Sequence, residues 1–270
     1  MNTPARAAQP IGIFDSGIGG ATVLRELHLL LPHEDILFLA DQANVPYGPR
    51  ATNELRALSA ANTYWLRAHG AKIIVVACNT ASAAALQWLR AEFPALSFVG
   101  MVPAVKPAAA QTHSGVVGVL ATPATLQGEL LDEVVLRWAG GTTVVRQGCP
   151  GLVEQIEAGA FDSPTTLEML KEFLQPLLAA GADTIVLGCT HYPFVAPQIQ
   201  QLAGPQVQLI DAAPAVARQT LRVLAEHGLV QPHTERRGEI TYATTGSPAA
   251  LARLIAQLGL PPGRVIHAST

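Results

Sequence analysis

The sequence predicts an α/β protein with two pseudo-symmetric domains, each built on a parallel sheet flanked by helices. Apolar runs bounded by Gly, Asp and Pro alternate with amphipathic segments, which is the pattern of β-α-β units. One of these units recurs 111 residues later with a cysteine in the same place. The 270 residues suffice for two domains. With 49% hydrophobic and only 14% charged residues, a disordered chain is excluded.

The predicted strands are almost continuously apolar, as expected where helices cover both faces of a sheet. In the first half they are Ile11–Asp15, Asp35–Ala40, Lys72–Ala77 and Leu96–Met101. In the second half they are Val116–Ala121, Thr143–Arg146, Asp183–Gly188 and Val207–Asp211. Helical periodicity between strands predicts helices that include Ala21–Leu31, Asn53–His69, Ser82–Glu92 and Thr165–Ala180.

An internal repeat supports two related domains. Gly70–Cys78 resembles Gly181–Cys189, and the same offset places Pro103–Val105 on Pro214–Val216. Two matches in one register indicate duplication, and coincidental similarity between apolar strands is the alternative. The repeat alone also fits a simple division into two consecutive halves.

Charge and hydropathy exclude several classes of protein. The net charge of −3, from 17 Lys and Arg against 20 Asp and Glu, argues against nucleic acid as the main partner. No apolar run is long enough for a membrane span, and the first ten residues lack the apolar core of a signal peptide. We therefore expect a cytoplasmic protein whose three cysteines are thiols.

Two of the cysteines occupy equivalent strand ends. Cys78 and Cys189 each follow a predicted strand, one in each copy of the repeat. Binding and chemistry in parallel α/β sheets gather beyond the carboxyl ends of the strands. If the halves face each other, both thiols point into one cleft, and we expect the active site in that cleft.

The neighbours of these cysteines favour a chemical role over simple packing. Either cysteine alone is better explained as a small buried hydrophobe. Hydrogen-bonding residues follow both, however, and a helix N-terminus favours a reactive thiolate. These neighbours are Asn79 and Thr80 in the first copy, and Thr190 and His191 in the second. Cys149 has no counterpart in the repeat and is interpreted as structural or peripheral.

Two other uses of the cysteines are less well supported. A zinc site of Cys78, Cys189 and His191 lacks the Cys-x-x-Cys or His-x-x-x-His spacing typical of such sites. A redox pair normally uses cysteines on adjacent turns, whereas these lie 111 residues apart.

Two loops follow strands at the same predicted edge. Asp15–Gly20 opens a helix, but a dinucleotide fingerprint would require glycine where Thr22 stands. Asp41–Gly48 contains Pro46, which stiffens the loop, and a glycine that lets a ligand approach the backbone. His191 is the histidine best placed for proton transfer.

Four segments of the chain resemble the cofactor-independent glutamate racemases of bacterial cell-wall synthesis. They occur in the order and with the spacing of that family, and they span most of the chain. The segments are Ile13–Gly20, Val45–Gly48, Ala77–Ser82 and Gly188–Pro193.

The resemblance implies a substrate, a mechanism and a set of site residues. The reaction is interconversion of L- and D-glutamate, with no metal and no pyridoxal phosphate, and the product D-glutamate supplies peptidoglycan. Cys78 and Cys189 are implied as the two acid/base residues, assisted by Asp15 and His191. The implied substrate-binding residues are Asp15, Ser16, Tyr47, Gly48, Asn79, Thr80, Thr190 and His191.

The resemblance also implies an assisting glutamate and a discontinuous domain. After Cys149-Pro150 the Glu-x-Gly pattern favours Glu157 as the assisting glutamate, with Glu154 as the rival. The first domain is then residues 1–102 plus 211–270, and the second is 103–210. A homodimer is implied as the default assembly.

Two thiols suit racemisation, because a proton must leave one face of Cα and another must return to the opposite face. The chain has three lysines, Lys72, Lys106 and Lys171, and none ends a predicted strand where a pyridoxal Schiff base would be useful. Hydrogen-bond donors must then stabilise the carbanion. The remaining alternatives are a racemase or isomerase of aspartate or a related acid, and a non-catalytic module that binds a small acid.

Overall fold

A computed structural model describes residues 3–232 and 236–270 of the chain. The chain divides into two units. Unit 1 comprises Met1–Met101 and Ala213–Thr270, and unit 2 comprises Val102–Ala212. Among the described residues, no helix combines the length and the apolar character needed to cross a membrane.

The elements follow one another as alternating helices and strands. Unit 1 begins with α1 (Thr3–Ala7), β1 (Ile11–Asp15), α2 (Ala21–Leu30), β2 (Ile36–Ala40), α3 (Thr52–Ala68), β3 (Ile73–Val76), α4 (Asn79–Glu92) and β4 (Phe98–Val99). Unit 2 contains α5 (Val105–Gln111), β5 (Val116–Ala121), α6 (Pro123–Gln127), α7 (Glu129–Trp138), β6 (Thr143–Gly148), α8 (Leu152–Glu157), α9 (Pro164–Ala179), β7 (Thr184–Gly188), a 3₁₀ turn (Tyr192–Val195), α10 (Ala196–Ala203) and β8 (Gln208–Asp211). The chain returns to unit 1 with α11 (Ala213–Glu226), β9 (Ile240–Thr244), α12 (Pro248–Gln257) and β10 (Arg264–His267).

Both sheets are parallel, which confirms the predicted fold class. The six strands of unit 1 lie in the order β10-β9-β2-β1-β3-β4, and the four of unit 2 in the order β6-β5-β7-β8. The order β2-β1-β3-β4 therefore matches the whole sheet of unit 2. Even the register repeats, because Ile74 pairs with Phe98 and, 111 residues later, Ile185 pairs with Leu209. This agreement supports the duplication predicted from the sequence.

Among the predicted helices and strands, α4 and β4 differ most from the structure. Helix α4 begins at Asn79 rather than Ser82, because the Cys78 side chain caps the helix. Strand β4 comprises only Phe98–Val99 instead of Leu96–Met101. The Met101 amide donates to the Ser82 hydroxyl (3.0 Å) instead of to a neighbouring strand, so the ladder ends early.

Because the strands are parallel, all of their carboxyl ends lie at one edge of each sheet. Every residue of β1, β2 and β3 is buried. At the amino edge of the unit 1 sheet, the Lys72 ammonium is buried against the Glu34 carboxylate and donates to the Ala7 carbonyl (2.6 Å). The loops that follow Asp15, Ala40 and Val76 lie at the opposite, carboxyl edge.

Candidate active site

The loop after β1 wraps around the carboxylate of Asp15, which is fully buried. The Gly20 amide donates to one carboxylate oxygen (2.6 Å), and the Ser16 hydroxyl donates to the other (3.3 Å). A Cβ on Gly20 would lie 2.7 Å from the Cβ of Asp15 and 3.0 Å from that of Ala77. Glycine is therefore required for the start of α2 to close on Asp15.

Cys78 occupies the N-cap of α4 directly after β3. Its backbone is extended, and its sulfur accepts a hydrogen bond from the Ala81 amide (Sγ···N 3.4 Å). Only 4% of the residue is exposed. An amide donor and the positive end of a helix both stabilise negative charge on the sulfur. The position therefore differs from that of a cysteine that only packs in the core.

The first turn of α4 also presents Asn79 and Thr80, which are both buried. The side-chain oxygen and nitrogen of Asn79 have no hydrogen-bond partner among the described residues. Leaving both groups unsatisfied is costly, on the order of 1–3 kcal/mol each. A bound polar molecule that accepts from the nitrogen and donates to the oxygen would remove this cost.

The loop after β2 places Tyr47 in a buried hydrogen-bond network. The Tyr47 hydroxyl donates to the Asp41 carboxylate (2.5 Å) and accepts from the Asn62 amide (3.1 Å). Burial, followed by the charge of Asp41, raises the pKa of Tyr47 well above its usual value. The phenol is therefore neutral and acts as a donor, while the predicted partner in the loop, Gly48, is only half-buried.

In unit 2, three predicted residues lie in one hydrogen-bonded row. Cys189 follows β7, and its sulfur lies 3.8 Å from Nδ1 of His191. Nε2 of His191 lies 2.7 Å from a carboxylate oxygen of Glu157, which ends α8. All three are largely or fully buried, as is Thr190. The arrangement resembles the general pattern of a nucleophile or base held by a second and a third group.

The charge state of His191 follows from these contacts. Burial acts to lower its pKa, but the hydrogen bonds and charges of Cys189 and Glu157 outweigh burial and hold the pKa well above the ordinary value of 6.5. The ring is thus an imidazolium near neutral pH. The arrangement therefore places a positive charge 3.8 Å from the Cys189 sulfur.

The geometry separates the two rival glutamates. Glu157 contacts His191 directly, whereas Glu154 lies one turn earlier on α8, where its charge acts on Tyr192. The structure therefore brings Glu157, rather than Glu154, to the Cys189 side of unit 2.

Cys149 lies behind this row, next to Tyr192. Burial raises the pKa of Cys149 to about 12, and the neighbouring Tyr192 only partly opposes this effect. The thiol is therefore neutral near pH 7 and donates weakly to the Gln147 carbonyl (Sγ···O 3.8 Å). Its surroundings are those of a packing residue.

The lysines are engaged elsewhere. Lys72 pairs with Glu34 at the amino edge of the unit 1 sheet, Lys106 stacks over the Trp138 ring (3.7 Å), and Lys171 forms an exposed ion pair on α9. Within residues 3–232 and 236–270, no three His, Cys, Asp or Glu side chains are grouped so that they could hold a metal ion.

The sequence names Asp41 only as the start of a loop, and it does not indicate that Asp41, Asn62 and Thr245 support Tyr47. Asp41 was visible as a polar residue at a strand end, the same signal that identified Asp15. Asn62 is a buried polar residue within α3, and Thr245 follows β9, a strand that was not predicted. A search for polar residues on the buried faces of predicted helices would have found Asn62.

Comparison with known proteins identifies the family. Residues 19–220 match the family model described as Asp/Glu/Hydantoin racemase. The chain is 60% identical over 263 residues to the glutamate racemase of Roseiflexus sp. (strain RS-1), a match that covers 97% of each protein.

Two solved structures show the same fold. Glutamate racemase from Thermus thermophilus, in complex with β-chloro-D-alanine, is 35% identical with a TM-score of 0.82 over 97% of this chain and 98% of that one. Glutamate racemase from Francisella tularensis, in complex with D-glutamate, is 27% identical with a TM-score of 0.84 over 97% and 98%. These similarities confirm the resemblance found in the motifs and the prediction of an isomerase. The chain belongs to the Asp/Glu/Hydantoin racemase family.

Proposed function

We propose that this racemase interconverts L- and D-glutamate with two thiols, Cys78 and Cys189, one of which removes the Cα proton while the other donates its own proton to the opposite face. The main supporting observation is that each copy of the duplicated strand ends in a buried cysteine with its own charge-stabilising partner. That partner is the N-terminus of α4 for Cys78 and the His191–Glu157 pair for Cys189.

In the proposed reaction, one cysteine begins as a thiolate and the other as a thiol. The thiolate removes the Cα proton from one face of the amino acid and becomes a thiol, which leaves the electron pair on Cα. The second thiol then gives its proton to the opposite face and becomes a thiolate. Bonds and charges balance, and the enzyme ends with its two protonation states exchanged, ready for the reverse enantiomer.

The carbanion is stabilised by hydrogen bonds and charge in this proposal. Asp15 receives or balances the substrate ammonium, and donors aimed at the α-carboxylate spread the negative charge. Asn79 is the strongest candidate donor, because its amide is buried and unsatisfied. The other proposed binding residues are Ser16, Tyr47, Gly48, Thr80, Thr190 and His191. The proposal involves no cofactor, in keeping with the positions of the three lysines.

The proposed physiological role follows from the product. D-glutamate made by such an enzyme supplies peptidoglycan synthesis in the cytoplasm.

We also propose that the enzyme acts as a homodimer. Analytical ultracentrifugation of the purified protein tests the assembly: a single species of about 28 kDa, the mass of one chain, would contradict the dimer.

The substrate is tested by incubating purified, reduced protein with L-glutamate in D2O without added cofactor. We expect the circular dichroism signal to decay to zero while deuterium enters Cα. L-aspartate is assayed in parallel, because turnover of aspartate but not glutamate would establish the sibling activity. Glutamate binding without turnover of either acid would support the non-catalytic module instead.

A further inference from the structure

We propose that Asp41 and Thr245 are positioning residues for substrate binding. They hold the substrate loop, defined here as residues 42–48, and they couple it to strand β9 of the returning C-terminal segment. The inference rests on the proposed function, because it takes the loop to contact the amino acid through Tyr47 and Gly48. It assigns the returning C-terminal segment a part in the site.

Asp41 is a buried carboxylate whose acceptor sites are turned toward this loop. It is 1% exposed. One oxygen accepts from the Tyr47 hydroxyl (2.5 Å), and the other accepts from the Asn44 amide (2.9 Å) and the Thr245 hydroxyl (2.7 Å). Three donors, two of them in the loop, therefore converge on one side chain. Because the carboxylate is buried and these donors bind both of its oxygens, we infer that Asp41 acts through Tyr47 and not on the substrate itself.

Thr245 joins the loop to the end of β9 through one hydroxyl. That hydroxyl donates to Asp41 and also accepts from the Ala43 amide (3.0 Å). The Thr245 amide in turn donates to the Ala40 carbonyl (3.2 Å) at the end of β2. A single side chain thus ties both the first residues of the loop and its buried carboxylate to the neighbouring strand.

The residues beside Thr245 strengthen the same connection. The Thr244 hydroxyl donates to the Gln42 side chain (2.9 Å) and accepts from the Gly246 amide (2.9 Å). A Cβ on Gly246 would lie 3.1 Å from the Cβ of Gln42, so the two segments approach closely. Strands β9 and β2 are paired in register up to Ala40 and Thr244, which fixes where the contact begins.

The critical test compares Thr245→Val with Thr245→Ser in the full-length enzyme. Valine keeps the shape but removes the hydroxyl, so the Ala43 amide and one Asp41 oxygen lose their partner. We expect KM for both enantiomers to rise about tenfold while kcat changes by less than about threefold. Serine restores the hydroxyl and should restore KM to within about twofold.

The matched control is Thr241→Val, on the same strand. The Thr241 hydroxyl bonds to no described residue, so this variant should keep the wild-type KM. Asp41→Asn provides an independent test, because its amide nitrogen cannot accept a hydrogen bond. Whichever way the amide turns, either Tyr47 or the pair formed by Asn44 and Thr245 loses its acceptor, so KM should rise at least as much as in Thr245→Val. If Thr245→Val does not fold, Thr245→Ala takes its place.

The outcomes separate this inference from the proposed function. Raised KM in Thr245→Val and Asp41→Asn, with rescue by serine, supports positioning. Wild-type KM in Thr245→Val, or a lowered melting temperature without a change in KM, overturns it even if the wild-type enzyme racemises glutamate. Absence of glutamate turnover in the wild-type enzyme instead overturns the proposed function.

Discussion

Glu157→Gln should slow racemisation in a pH-dependent way. Glutamine keeps the size of the side chain and an oxygen near Nε2 of His191, but it removes the negative charge. We expect kcat/KM to fall about 5- to 30-fold at neutral pH and the alkaline limb of its pH profile to move to lower pH.

The magnitude follows from the contact between Glu157 and His191. The two atoms lie 2.7 Å apart, and the carboxylate is about one-tenth exposed, so solvent screens the pair little. A hydrogen bond between charged groups contributes about 1–2 kcal/mol more than a neutral one. Since 1.36 kcal/mol corresponds to one pKa unit, the alkaline limb should move by about one pH unit.

The sign of this change follows from the raised pKa of His191. The protonated ring stabilises the folded state fully below its ordinary pKa of 6.5, and this contribution is lost as pH rises through the raised pKa. Without the charge of Glu157, the ring loses its proton at a lower pH. The Cys189 thiolate then loses its cationic partner at a lower pH, which moves the alkaline limb of the kcat/KM profile. The loss of the Glu157 charge does not move the acidic limb in this way.

The assay measures kcat/KM in both directions between about pH 6 and about pH 10. This range includes the ordinary pKa values of histidine and of a thiol. Because the enantiomers have equal free energies, the two kcat/KM values must agree for every variant, which checks the data internally. Glu154→Gln, one turn away on α8, is the control and should retain the wild-type profile. The reasoning is refuted if Glu157→Gln keeps the wild-type alkaline limb, or if Glu154→Gln shows the predicted shift.

Three further variants probe other parts of the molecule. Lys72→Met leaves the buried Glu34 carboxylate without its cationic partner and should lower the free energy of unfolding by about 3–5 kcal/mol. The melting temperature should then fall by about 10 °C, and an unchanged melting temperature would contradict this prediction. Gly20→Ala forces a methyl group against Asp15 and should lower the free energy of unfolding, measured in urea, by about 1–3 kcal/mol. It should also lower kcat more than about tenfold, and an unchanged kcat would show that Asp15 tolerates displacement. Cys149→Ala removes a neutral thiol and should keep kcat/KM within about threefold; loss of all turnover would assign Cys149 to the chemistry.

The fold class and the equivalence of Cys78 and Cys189 could be predicted because both depend on short-range patterns. Buried parallel strands appear as apolar runs, and a duplicated run keeps its cysteine at the same strand end. Three strands of the unit 1 sheet are harder to predict. In β9 and β10 polar residues interrupt the apolar pattern, and β4 ends where a side chain takes over the Met101 amide.

The contacts of the candidate site depend on packing between distant segments, which spacing alone does not reveal. The choice between Glu154 and Glu157 depends on which face of α8 meets His191, a residue 34 positions away. Likewise, Asp41 and Thr245 meet across 204 positions because β2 and β9 are neighbours in the sheet. Motif resemblance supplied Glu157, whereas no motif included Thr245.

The proposed two-thiol reaction is tested most directly by where deuterium appears during the first few per cent of turnover in D2O. The account predicts that newly formed D-glutamate carries deuterium at Cα while the remaining L-glutamate does not, because different thiols act on the two faces. Cys78→Ser and Cys189→Ser should each abolish racemisation, with Cys149→Ala as the active control. Unlabelled product, equal labelling of product and remaining substrate, or wild-type racemisation by either serine variant would contradict the account.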